Sequence, residues 1–228
     1  MEAPISVTGG AGPAQAAPDL SFSVEQIEPL ERAASPTLAF TVRILRASGA
    51  PVRSVALNVQ IRIAATQRAY DAETRERLSE VFGSGDAWGR NLHSLPWANV
   101  TVNVPPFGEE TLVELHVPCT YDFEVAVSKY LHGVREGAVP VELLFSGSVF
   151  YEGADGGLQV SLVSWEKEAH YRMPSAVWRE LMDHYYPGGA WLRLGAESFD
   201  RLHAFRSRRA LPSWDRTIEA LLDEAEDA

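Results

Sequence analysis

From Phe22 to Trp165 apolar and polar positions mostly alternate, the period of strands with one buried face. Phe22 and Val24 alternate with serines. Leu38, Phe40, Val42 and Ile44 share one face of a second strand. Val55, Leu57, Val59, Ile61 and Ile63 form the cleanest run, which leaves Asn58, Gln60 and Arg62 facing solvent or a partner. Val100, Val102 and Val104 predict another strand, as do Val113, Leu115 and Val117. Tyr121, Phe123, Val125 and Val127 continue the pattern. Val139 to Tyr151 is apolar on both faces and therefore central, and Gly147 within it predicts a bulge or a close backbone approach. Asp155, Gly156 and Gly157 predict a hairpin turn into a strand from Leu158 to Trp165. About eight strands at this spacing predict an antiparallel sandwich or barrel.

The period changes to 3.6 in two places. Asp71 to Phe82 carries Leu78, Val81 and Phe82 on one short helical face. A Gly-containing loop from Gly83 to Trp97 follows, and its Trp88 and Trp97 are expected either to fold back over a sheet edge or to meet a partner. After Met173 helical spacing takes over. Pro174 opens a helix whose face is Val177, Trp178, Leu181, Met182 and Tyr185, and Pro187, Gly188 and Gly189 stop it. Trp191 to Leu194 reads as a short extended segment. Phe199, Leu202 and Phe205 line a second helix that ends at Pro212. Ser213 caps a third, with Trp214, Ile218, Leu221 and Leu222 as a buried stripe. Met1 to Pro18 is rich in Gly, Ala and Pro and predicts a flexible tail. The expected fold class is thus α+β: a flexible tail over 1–18, a mainly antiparallel β-sandwich-like body over 19–172, and a helical subdomain over 173–228.

Composition narrows the function classes. The 228 residues carry a formal net charge of −11, which disfavours a broad phosphate-binding surface. The N-terminus lacks the order of a signal peptide, and no apolar run approaches the roughly 20 residues of a membrane span. With the lone cysteine Cys119 and no zinc-like Cys/His spacing, these features lead us to expect a reducing cytoplasm.

Motifs for catalysis are weak. Cys119 has no evident base and reads as a buried structural thiol. The six histidines form no metal-protease motif. Glu180 and His184, four apart with Asp183 beside them, are the nearest approach to a ligand pair. Ser146, Gly147 and Ser148 lack the surroundings of a nucleophile elbow. No phosphate-binding or dinucleotide-binding glycine array is present. No catalytic, cofactor or metal residues are therefore assigned, and the aromatics and arginines become the candidates for contact with a partner. Tyr186 is one residue off the apolar face of its helix, and Trp191, Arg193 and Arg206 lie in the following segment. With Trp88 and Trp97 they form the candidate partner-binding set.

The order of Trp191-Leu192-Arg193-Leu194, helix, Leu-Pro loop and helix is similar to a ribbon–helix–helix DNA-binding unit. Arg193 would then face the groove, with Arg201, Arg206, Arg208 and Arg209 on phosphates. The segment is not basic overall, so DNA binding stands as the alternative.

Three stretches and a short motif carry a family resemblance. They are Cys119 to Lys129, Leu144 to Tyr151, Met173 to Trp191 with its Trp-Arg-Glu-Leu-Met-Asp-His-Tyr-Tyr core, and Leu-Pro-Ser-Trp at Leu211 to Trp214. The chain resembles an uncharacterised actinobacterial family whose members look like neighbours of uptake nickel–iron hydrogenase genes. The resemblance implies an accessory or assembly role, with a hydrogenase subunit or maturation factor as partner, and it supplies no catalytic residues. The leading expectation is a non-catalytic protein-binding factor without a cofactor, with homo-oligomerisation open. An enzyme with an unrecognised site is the third reading.

Overall fold

The computed structural model describes residues 16–120, 122, 125–189 and 193–227. It is an α+β fold with eight antiparallel strands in two sheets and a C-terminal helical part. β1 (Asp19–Pro29), β2 (Thr37–Ser48) and β5 (Glu110–Pro118) form a three-stranded sheet in the order β1-β2-β5. β4 (Leu95–Val104), β3 (Val52–Ile63), β6 (Ala138–Glu152) and β7 (Leu158–Leu162) form the second sheet in that order, and β8 (Glu168–Pro174) also pairs with β6.

The alternation in β3 acts as expected. Val55, Leu57, Val59, Ile61 and Ile63 are all buried between the sheets. Their partners from β2, Leu38, Phe40, Val42 and Ile44, are buried too. Aromatic pairs bind the layers: Phe22 stacks on Phe145 at 4.1 Å, and Trp97 meets Phe40 edge-on at 5.6 Å. β6 is the central strand and carries β3 on one side and both β7 and β8 on the other. Gly147 marks a close backbone approach. Its φ is +140°, and a Cβ there would lie 2.0 Å from the Ala56 carbonyl oxygen.

The helices differ from the sequence reading in three places. The Asp71 to Phe82 helix is two short ones, α1 (Ala72–Arg77) and α2 (Ser79–Phe82), meeting at Leu78. The loop from Gly83 to Trp97 holds a third, α3 (Ala87–Asn91), and its last three residues already belong to β4. The strand expected through Val125 and Val127 is instead the start of α4 (Ala126–Gly133). Val127, Tyr130, Leu131 and Val134 are buried at spacings of three and four, so the tertiary environment selects the helical period. Tyr121 and Phe123, from the same expected strand, lie outside the described residues. The missing eighth strand is β8, whose Ala169 and Met173 are buried.

At the N-terminus, Ala16 to Pro18 are held rather than loose. Ala50 N–H donates to the Ala16 carbonyl at 3.0 Å, and Pro18 is buried. The rest of the expected tail, 1–15, lies outside the described residues. α5 (Ser175–Tyr185) buries Trp178, Leu181 and Met182 in the same core as the sheets, and Tyr185 Oη donates to the Ala33 carbonyl at 2.7 Å. The compact division therefore falls between 190 and 191 rather than at 172. The second unit contains α6 (Ala196–Arg208) and α7 (Trp214–Glu226), and the Ser213 hydroxyl caps α7 by accepting from Arg216 N–H at 3.2 Å. Among the described residues, no helix is long and apolar enough to cross a membrane.

Candidate functional site

A cleft of about 860 Å³ opens beside α1 and α3 and is lined by Tyr70, Arg75, Glu76, Asp86 and Trp88 among others. Asp71 sets its rim. The Asp71 carboxylate accepts from Thr74 N–H at 2.7 Å and caps α1, a contact that holds the carboxyl below its ordinary range. Trp88 is buried in the floor, edge-on to both Tyr70 and Phe82 at 5.3 Å, with the Arg75 guanidinium 5.9 Å above its ring. The Tyr70 hydroxyl is turned inward to Ala65 and Tyr130, and burial raises its pKa. Among the described residues, no histidine or cysteine lines the cleft. A guanidinium on an aromatic shelf, in a cleft that Glu76 and Asp86 also line, is suited to holding a polar or charged ligand.

Trp88, a candidate for contact with a partner, is largely buried on α3 and lines this cleft. Trp97 is half-buried on β4, where it packs on the core through Phe40. Tyr186, expected to be exposed, is also half-buried and packs on the core. It ends α5 with φ −133° and ψ 60°, so it leaves the helical path and the one-residue offset no longer predicts its direction.

Cys119 Sγ lies 3.6 Å from the Val117 carbonyl, and burial pushes the thiol up to about 12. That environment opposes thiolate formation. Glu180 and His184 are exposed on α5 without a third ligand in the described residues. The ligand-type groups that do converge are Glu142, Glu168 and His170, whose donor atoms lie within 4.8 Å of one another. Sequence spacing could not show this, because Glu142 and His170 meet only through the β6–β8 register. Glu142 is already ion-paired with Arg62 across the β3–β6 ladder, so a cation would have to displace a guanidinium. Ser146, Gly147 and Ser148 sit within β6, as in the strand reading.

In the second unit, Arg193 is exposed and neither it nor Leu194 is in a strand, while Trp191 lies outside the described residues. Arg206 is committed within the unit. Its Nε donates to the Leu211 carbonyl at 3.2 Å, its Nη2 to the Pro212 carbonyl at 3.1 Å, and its Cζ lies 4.6 Å from the Trp214 ring centre. The stripe expected to be buried on α7 is open instead: Ile218 is 42% exposed, Leu221 37% and Leu222 57%, with Phe199 on α6 at 45%.

Sequence reasoning also missed the edge of the larger sheet. Leu158, Val160 and Leu162 share the outer face of β7 and are exposed, as is Trp165 just beyond. Their alternation with Gln159 and Ser161 is that of an ordinary half-buried strand. Only the pairing of Val160 with Phe150 and of Ser161 with buried Val149 turns the apolar residues outward.

No curated protein matches the sequence. Several solved structures share weak likeness. The CARDB domain of a Pyrococcus furiosus protein, determined with di-metal ions, is 12% identical at a TM-score of 0.29, over 75% of this chain and 98% of that one. A β-glucosidase from Kluyveromyces marxianus is 11% identical at 0.26, over 68% of this chain and 15% of that one. The sporulation control protein Spo0M from Bacillus subtilis is 13% identical at 0.24, over 72% and 49%. At these scores the likenesses carry no argument about this chain. A family model does match, over residues 17–228, which takes in both sheets and both C-terminal helices: the chain belongs to the family of unknown function DUF6084.

Proposed function

We propose that this protein is a non-catalytic, protein-binding accessory or assembly factor, and that the helical unit after residue 190 is its docking element. The observation that carries the reading is the exposure of that unit's apolar residues. Phe199, Ile218, Leu221 and Leu222 are all more than a third exposed, and Thr217 is the single buried residue of α6 and α7. Helices of 13 residues are marginal without tertiary packing, and an amphipathic stripe left open is the surface that a partner covers. The resemblance to a family whose members look like neighbours of uptake nickel–iron hydrogenase genes directs the search towards subunits or maturation factors of such an enzyme, in the cytoplasm.

The test is affinity purification of the tagged full chain from its native host, with Ile218→Glu plus Leu222→Glu as the comparison. Both residues are exposed, so the variant should melt with the wild type. Hydrogenase subunits or maturation factors should co-purify with the wild type and be lost from the variant. Recovery of the same proteins at equal yield with both chains would remove this surface from the interface.

A further inference from the structure

We infer that β7 is a self-association edge, through which two copies of this chain join their larger sheets into one continuous antiparallel sheet. The inference uses a different element from the helical surface proposed above and does not depend on it.

β7 ends its sheet, with β6 as its partner. Two backbone bonds fix which way its peptide groups turn. Val163 N–H donates to the Gly147 carbonyl at 3.0 Å, and Gly153 N–H donates to the Gly157 carbonyl at 2.8 Å. In an antiparallel ladder the bonded pairs recur at every second residue, so Gln159 and Ser161 also turn towards β6. Leu158, Val160 and Leu162 therefore turn their N–H and C=O groups to the open edge. Such a row is a template for another strand.

Natural edges are usually blunted by charge or proline. The other strands at sheet edges follow this rule: β1 carries Glu25 and Glu28, β4 carries Pro96, β5 carries Glu110 and Glu114, and β8 carries Glu168 and Arg172. β7, Leu-Gln-Val-Ser-Leu, has neither. In a chain of net charge −11 most approaches between copies are repulsive, and this strand offers one that is not.

The occupant follows from the register. About a two-fold axis at Val160, Leu158 of one copy faces Leu162 of the other, Val160 faces its own counterpart, and Gln159 faces Ser161. Each apolar residue meets an apolar one and each polar residue a polar one, so the strand is complementary to itself. Leu158, Val160 and Leu162 are 67%, 55% and 79% exposed, so more than half of the surface that would form the cross-strand ladder is open. A five-residue edge buries little area, which makes the dimer concentration-dependent rather than obligate.

Sedimentation of the full chain across a wide concentration range tests this. The expected result is a monomer–dimer equilibrium. Val160→Lys should weaken it at least about tenfold, because two like charges would face each other on the axis, while the melt stays unchanged. A second variant fixes the register: Val160→Cys in a Cys119→Ser background should form a disulfide-linked dimer under mild oxidation, and Asp155→Cys in the same background should not. A chain that stays monomeric throughout overturns the proposal. So does a dimer that survives Val160→Lys. A monomer that loses a different bound protein on Val160→Lys also overturns it, and would assign the edge to that protein's strand.

Discussion

The Tyr70 hydroxyl lies 2.7 Å from the Tyr130 hydroxyl and 2.7 Å from the Ala65 carbonyl oxygen, and these two contacts fix the direction of a short buried proton chain. Tyr70 has one hydroxyl proton and gives it to the carbonyl. Tyr130 must then donate to Tyr70. Both side chains are buried, and burial raises both pKa values, so the pair stays neutral at physiological pH.

The chain predicts an asymmetry between two similar substitutions. Tyr130→Phe removes a donor and leaves Tyr70 still bonded to Ala65, a loss of about 1 kcal/mol. Tyr70→Phe strips the Ala65 carbonyl of its donor and orphans the Tyr130 hydroxyl, a loss of roughly 2–3 kcal/mol. Urea unfolding of the two variants checks the order. Equal losses, or the reverse order, would show that the Tyr130 hydroxyl does not depend on Tyr70 as its acceptor.

Much of the body was legible in the sequence because its strands have two unlike faces. Val55 to Ile63 alternates over nine residues, and burial follows the alternation without exception. The failures have a common cause. Val125 and Val127 fit a strand locally, but Tyr130, Leu131 and Val134 bring a helical period that only the space above the sheet could favour. The orientation of β7 depends on its register with β6, which no local pattern encodes. Tyr186 could not be placed by helical geometry because it is the residue where the helix stops. The Glu142–His170 approach was illegible for the same reason as β7: it is a pairing across 28 positions of sequence. The capping of α7 by Ser213 was legible because a cap is local.

Gly147→Ala should be among the most damaging small substitutions in the body. The added Cβ would lie 2.0 Å from Ala56 O, in the backbone of the neighbouring central strand, which cannot move without breaking the β3–β6 ladder. A loss of at least about 3 kcal/mol is expected, lowering the melting midpoint by roughly 6–12 °C. Gly85→Ala is the control. Its φ is also positive, but nothing lies within 4 Å of the added atom, so it should cost only about 1 kcal/mol. Similar losses in the two variants would mean that backbone conformation, not the collision, sets the cost.

Cys119 should be nearly inert in the native protein. Its thiol is pushed from an ordinary 9.0 up to about 12, so at pH 8 the thiolate fraction falls roughly a thousandfold. Iodoacetamide labelling followed by mass spectrometry should be slow in buffer and rapid in denaturant. Native labelling at the rate of a free thiol would contradict this environment.

His132 should make stability fall on acidification. Its pKa is lowered, first by burial of the ring and then by Arg135 and Arg77. A depressed folded-state value means that the unfolded chain binds the proton more readily. The contribution is therefore complete above the ordinary value of 6.5 and is lost as pH falls through the folded-state value. His132→Gln should lose less stability than the wild type between neutral pH and pH 5, the window reaching down from that ordinary value. Thermal melts across that range provide the check, and parallel curves would show that His132 does not contribute.

Arg206 supplies the last test, because it separates a residue that builds a surface from one that offers itself on it. The sequence placed Arg206 among partner contacts. In the structure its guanidinium joins the end of α6 to the turn before α7, donating to the Leu211 and Pro212 carbonyls while lying over Trp214. Those contacts need a flat group with donors on two sides, which an ammonium does not reproduce. Arg206→Lys should therefore behave like Arg206→Ala. Both should lose roughly 1–2 kcal/mol of local stability, seen as about tenfold faster hydrogen exchange from Leu211 to Thr217 and as a changed Trp214 emission. If Arg206 instead acted through its charge on a partner, Arg206→Lys would keep both exchange and binding, and only Arg206→Ala would lose partner. Protection retained in Arg206→Lys would thus return Arg206 to the interface, whereas loss in both variants makes it the clamp that holds the two helices in place for Ile218 and Leu222 to be presented.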